Sequence, residues 1–134
     1  MNLRPGGSAV ATDNNPVGWF EIPVSDMKRA RAFYEHVLEV KLDPHDMGAV
    51  KMAWFPMHSG AYGAAGTLVQ GPSYEPSQGG TLVYFNTGDI GAALERAAKR
   101  GGRILKGRTD IGEYGFIAHF RDCEGNRIGL HSMS

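Results

Sequence analysis

An internal repeat constrains this chain more than any other feature. Shifting the sequence by 63 residues lays Ser25-Asp26 on Gly88-Asp89, Ala30 on Ala93 and Leu42 on Leu105. Each copy reads as strand, helix, then three strands, so the fold must satisfy one supersecondary unit twice. In the first copy, residues 17–24 are β-branched and aromatic and end in Ser-Asp, the pattern of a strand. Asp26 can then accept from the free amides of a first helical turn. Met27, Ala30, Phe33, Tyr34, Val37 and Leu38 fall on one helical face. Strands are predicted over 40–42, 49–57 and 62–70. Residues 71–80, with two prolines, two serines and three glycines, read as a linker. The second copy predicts a strand over 81–87 and a helix over 90–100 that Gly101-Gly102 terminates. A short extended piece at 103–105 follows, then a hairpin of 115–121 and 126–132 across a tight turn at Asp122–Gly125. The expected fold class is α+β: one domain over 17–132, with modules 17–70 and 81–132. Residues 1–16, rich in Gly, Asn, Ser and Pro, read as a flexible leader.

Composition removes several classes of function. Fourteen basic residues cancel fourteen acidic ones, and they are scattered, so nothing favours nucleic acid or an anionic membrane as a partner. No apolar run approaches the roughly 20 residues of a membrane helix. Cys123 is the single cysteine, which excludes an internal disulfide and a multi-thiolate metal site. A reducing, cytoplasmic setting is the expectation.

Phe20-Glu21-Ile22-Pro23-Val24-Ser25-Asp26 leading to Ala30, Phe33 and Tyr34, Leu82 to Asp89 leading to Ala92-Ala93, and Asp122-Cys123-Glu124-Gly125-Asn126 are the motifs that matter next. In their order and separation the chain resembles the glyoxalase/bleomycin-resistance/extradiol-dioxygenase superfamily, the vicinal oxygen chelate fold. The resemblance covers about residues 17 to 132. It implies two βαβββ modules curled around a cleft, commonly a divalent metal there, and commonly a homodimer. The family's metal positions fall on Trp19, Leu82 and Gly129, with a fourth within 62–70, a stretch that holds no His, Asp or Glu. None of these side chains suits a catalytic metal, which needs about three N, O or S ligands. The expectation is therefore no metal and no cofactor. The disfavoured alternative keeps a metal on Glu21, His119 and His131.

Period-two alternation names the cleft face. Trp19, Glu21 and Pro23 share one side of the first strand. Leu82, Tyr84 and Asn86 share a side in the second module, as do Arg127, Gly129 and His131. An aromatic wall with a few polar groups has the composition of a small-molecule pocket. Glu21 is the sharpest candidate: beside Trp19 it is expected to lose solvation and so to suit general acid or base work. The plainer reading pairs it with Arg127. Trp54, with Met52, Phe55 and Met57, reads either as core or as pocket wall. Tyr84 offers a ring and a hydroxyl, and His131 a titratable ring. The facing of His119 is open. Cys123 lies between two carboxylates and is not expected to be a nucleophile. Residues 60–66 are glycine-rich but lack the Lys and following helix of a phosphate loop.

The candidate ligand-contacting residues are thus Trp19, Glu21, Trp54, Tyr84, Arg127 and His131, with Glu21 also the candidate catalytic group. The leading expectation is a metal-free protein that binds a small, partly apolar ligand. The alternative is a metal-independent or atypical-metal lyase or isomerase, related to lactoylglutathione lyase, that uses Glu21.

Overall fold

A computed structural model describes residues 15–134; the leader expected over 1–16 lies outside them except for Asn15 and Pro16. The first module runs β1 (Trp19–Pro23), α1 (Met27–Leu38), β2 (Asp43–Asp46), β3 (Lys51–Trp54) and β4 (Ala65–Gln70). The second runs β5 (Val83–Asn86), α2 (Ile90–Lys99), β6 (Arg103–Asp110), β7 (Phe116–Arg121) and β8 (Arg127–Ser132), with one 3-10 turn at Gly112–Tyr114. Each module is a four-stranded mixed sheet, ordered β1-β4-β3-β2 and β5-β8-β7-β6. The repeat is therefore structural: β1 lies parallel to β4 as β5 does to β8, and the other pairs are antiparallel. Among the described residues no helix is long and apolar enough to cross a membrane.

Both helices start as their sequences predict. Asp26 Oδ1 accepts from Arg29 N at 3.1 Å and Asp89 Oδ1 from Ala92 N at 3.0 Å, so each cap satisfies a donor the helix cannot pair internally. Ala30, Phe33, Tyr34 and Val37 of α1 and Ile90, Ala93, Leu94 and Ala97 of α2 are buried, and they share one core with Ile22, Leu68, Phe120 and Leu130.

Several strands are shorter at their ends than expected, and two segments depart further, for identifiable reasons. Residues 40–42 are not a strand. Val40 N donates to the Glu35 carbonyl and Leu42 N to Glu35 Oε2 at 2.9 Å; this backbone folds back on the end of α1, and strand pairing starts at Asp43. In the second module β6 is a full Arg103–Asp110 strand rather than a fragment of three residues. Its polar, mostly exposed residues hide it from hydrophobic patterning. Pairing with β7 holds it, with register shifts on either side of Lys106.

The two modules are joined in two ways. Phe20 of β1 meets Phe85 of β5 edge to face at 5.7 Å, and Phe55 packs on both at 5.5 and 5.3 Å. The second join is the Asp122–Asn126 turn, which closes like a clasp on the first module. Asp122 is 1% exposed. It accepts from Tyr34 Oη at 2.5 Å, from Glu124 N and Asn126 N at 2.9 Å, and from Asn126 Nδ2 at 3.1 Å. Asn126 Nδ2 also donates to the Pro23 carbonyl at 2.8 Å, and Asn126 Oδ1 accepts from Ser77 N at 3.0 Å. Gly125 supplies the positive φ of 97° that the turn needs.

Glu124 completes the clasp by accepting from Ser25 N, Asp26 N and Arg29. Burial pushes its carboxyl upward, but the hydrogen bonds from Asp26, Arg29 and Ser25 outweigh it and hold the group below the ordinary 4.5. A depressed carboxyl stabilises the fold above its unfolded-state value, and that contribution is lost as pH falls through the lower folded value. Glu124→Gln should therefore flatten the fall in melting temperature below about pH 4.5. A wild-type slope in the variant would remove Glu124 from the acid transition.

Candidate functional site

A cavity of about 1490 Å³ opens between the modules. β1 contributes Trp19 and Glu21 to its walls, β5 contributes Tyr84 and Asn86, and β8 contributes Arg127 and His131. Phe20, Ile22, Phe85 and Ile128 alternate with these and belong to the core or pack against it, yet they border the cavity as well, so alternation alone does not part wall from core. Five of the six residues singled out from sequence thus line one cavity built by both modules of a single chain.

Trp54 does not line it. It packs edge-on behind Trp19 with ring centroids 5.7 Å apart and stacks on His45 at 3.8 Å. Its indole Nε1 is buried without an acceptor among the described residues, and such an orphan donor costs about 1–3 kcal/mol. Trp54→Phe removes the orphan along with some packing. Its stability by denaturant unfolding should therefore lie within about 1 kcal/mol of wild type, where a loss above about 3 kcal/mol would mean the indole N–H is satisfied.

Glu21 is exposed on the cavity wall, so the loss of solvation expected beside Trp19 is not realised. Nor do the described residues show an ion pair between Glu21 and Arg127. The Arg127 guanidinium turns instead to His119, with Nη2 at 3.1 Å and Nε at 3.3 Å from Nδ1.

His119 is the residue sequence reasoning left unplaced. Its Nε2 lies 2.7 Å from Tyr84 Oη, which puts it on the cleft face behind the wall. The signal was present in the hairpin: counting back across the Asp122–Gly125 turn pairs His119 with Gly129, a cleft-face position. Burial, then the charges of Arg127 and Lys106, lower its pKa from 6.5, so the ring is neutral at pH 7. Arginine only donates, so Nδ1 accepts and Nε2 carries the ring hydrogen. That hydrogen is donated to Tyr84 Oη. His131 Nε2 lies 2.6 Å from the Tyr114 carbonyl and so donates there.

The positions that bear a metal in the resembling family do not suit one here. Tyr84 pairs with Gly129 as Glu21 pairs with Thr67, which makes Thr67 the counterpart of Gly129 in the first module. Thr67 is fully buried, and its hydroxyl lies 3.0 Å from the Ala53 carbonyl and 2.6 Å from that of Leu68. A Cβ on Gly129 would lie 2.5 Å from Tyr84 Cδ1, so the tyrosine ring fills the space in which an acid would begin. Trp19 and Leu82 offer no lone pair to a metal. Among the described residues no three His, Cys, Asp or Glu side chains gather to hold a metal.

Elsewhere, burial and then the carboxylates of Asp122 and Glu124 push the Cys123 thiol up to about 12. It is not a nucleophile at neutral pH. Tyr62 and Gly63 of the glycine-rich segment border the cavity, and Gly63 has a φ of 96°.

Comparison with known proteins agrees with this architecture. A "Glyoxylase-like domain-containing protein" of Didymella fabae is 28% identical over 114 residues, covering 82% of this chain and 88% of that protein. The structure of a glyoxylase/bleomycin resistance protein/dioxygenase domain from Frankia sp. EAN1pec superposes with a TM-score of 0.69 at 16% identity, over 90% of this chain and 98% of that one. An E144Q mutant of glyoxalase I from Zea mays gives 0.67 at 21% identity, over 88% of this chain and 47% of the other. This chain therefore spans about half the length of the maize enzyme. At these identities the structural likeness shows the fold alone. The family model for the Glyoxalase/Bleomycin resistance protein/Dioxygenase superfamily matches residues 17–130, and with both modules, their strand order and the clasp turn inside that match, the chain belongs to this superfamily.

Proposed function

We propose that this chain binds a small, partly apolar molecule in the cleft between its modules, and does so without a metal. The observation that carries this reading is the Tyr84 ring packed into the space above Gly129. At that position the chain has an aromatic wall and a hydroxyl in place of a ligating acid. The cavity also has the character expected of a ligand site, with aromatic sides and a few convergent polar groups. After the resemblance, we extend the proposal to a homodimer, for which sedimentation should give about twice the 14.5 kDa chain mass.

A ligand held only by the native state must raise the melting temperature; at a hundred times its Kd it adds about 2.7 kcal/mol. A thermal-shift screen of small aromatic acids, aldehydes and amphipathic antibiotics should therefore yield ligands, and a chelator should leave both melting and binding unchanged. A chelator-sensitive response would overturn the metal-free reading.

A second reading, a metal-independent lyase or isomerase, draws on one observation. Glu21 and Tyr84 occupy equivalent positions of the two modules and line the same cavity. A carboxylate and a phenol so related form a possible acid–base pair. If a screened ligand is turned over, Glu21→Gln should abolish turnover and leave binding within a few-fold. Normal turnover in that variant would dismiss this reading.

A further inference from the structure

We infer that Arg127, His119 and Tyr84 form a one-way hydrogen-bond array whose last hydrogen, on the Tyr84 hydroxyl, is a built donor site for the anionic oxygen of a flat aromatic acid. This deepens the binding function proposed above and rests on it. The direction of the array follows from donor inventory. The guanidinium has only hydrogens to give, so His119 Nδ1 accepts at 3.1 Å and the ring hydrogen sits on Nε2. Nε2 donates to Tyr84 Oη at 2.7 Å. The phenolic hydrogen then has no acceptor among the described residues, and Tyr84 is 43% exposed on the cavity wall. Receiving a hydrogen bond strengthens the one a hydroxyl gives, so the array sharpens the terminal donor.

The array also disfavours the opposite ligand. Tyr84 Oη already accepts from Nε2, so an ammonium would meet only the remaining, weaker acceptor site of the phenol while its hydrogen stayed unpaired. An anionic oxygen uses that hydrogen instead, so the wall prefers one charge sign as well as a shape. Arg127 itself lines the cavity and adds a cation on the same wall.

Gly129 completes the device: because it has no Cβ, the Tyr84 ring lies against β8 with its hydroxyl fixed toward His119. Trp19 on the β1 side offers an apolar face for a ring. His119 acts here as a positioning residue, through Tyr84.

The test uses three matched probes on the full chain, by calorimetry: 2-naphthoate, 2-naphthamide and 2-naphthylmethylammonium. Naphthoate should bind about tenfold tighter than the amide, as expected for a charge-assisted hydrogen bond, with the ammonium weakest. Tyr84→Phe should bring naphthoate to the level of the amide. His119→Leu should do the same, whereas His119→Gln, which can accept from Arg127 and donate to Tyr84, should keep most of the preference. Equal affinity for all three probes in the wild type, or an unchanged preference in Tyr84→Phe, overturns the donor site and leaves the apolar cavity reading in place. If none of the three binds up to millimolar concentration, the cavity reading falls and the donor site falls with it.

Discussion

Asp122→Ala is expected to lower the unfolding free energy by about 3–5 kcal/mol, a large share of the stability of a domain this size. The carboxylate is buried and its two oxygens take four hydrogen bonds, one of them from Tyr34, which lies 88 residues away in α1. Removing it strands the Tyr34 hydroxyl and the Asn126 amide in a low-dielectric interior, each at about 1–3 kcal/mol. The Asn126 contacts with Pro23 and Ser77 loosen as a consequence. Tyr34→Phe removes one donor but leaves the rest of the clasp, and should cost about 1–2 kcal/mol. Urea denaturation of both variants checks the order. An Asp122→Ala protein as stable as Tyr34→Phe would show that the clasp does not hold the modules together.

The second large effect concerns Gly129. Placing an acid there should fail to create a site and should instead destabilise the fold by about 3 kcal/mol or more. The new Cβ would lie 2.5 Å from the Tyr84 ring. The ring must therefore swing out, and the bond to His119 goes with it. A carboxylate would also arrive in a buried position, at a desolvation cost. If the clash is the cause, adding Tyr84→Ala to Gly129→Glu should recover about 1–3 kcal/mol beyond additivity, since the two positions are in direct contact. Gly129→Glu alone matching wild type in chemical denaturation would mean the ring has room to move, and the reading of the cleft built on it would fail.

How much of this could be read beforehand depended on the range of the interaction. Local chemistry was legible: the Asp26 cap, the apolar face of the first helix and the Asp122–Gly125 turn. So was the repeat, because one offset superposed several such signals. β6 was not, because an exposed strand rich in Arg, Lys and Thr has no hydrophobic stripe and owes its conformation to pairing with β7. The turn of the backbone at Leu42 was hidden for a related reason: it depends on Glu35 reaching seven residues forward. At the site, strand period named five of the wall residues but not the core residues that border the cavity beside them, and the seating of Trp54 against Trp19 and His45 is a tertiary contact that no period shows. The partnership of Arg127 with His119 was reachable in part, through the hairpin register, but the contact itself, from which donor inventory then sets the hydrogen-bond direction, is a tertiary feature.

The clasp has a consequence for biosynthesis. Asp122, Glu124 and Asn126 are synthesised 88 to 103 residues after the groups they hold in the first strand and the first helix. Until they emerge, the amino-terminal half carries its aromatic edge around Phe20 and Phe55 without the partner supplied by Phe85 and without the lock at Tyr34. The first module therefore stays unsealed until the clasp turn has been made, and nascent chains stalled before residue 122 should be cut by protease where the released protein resists.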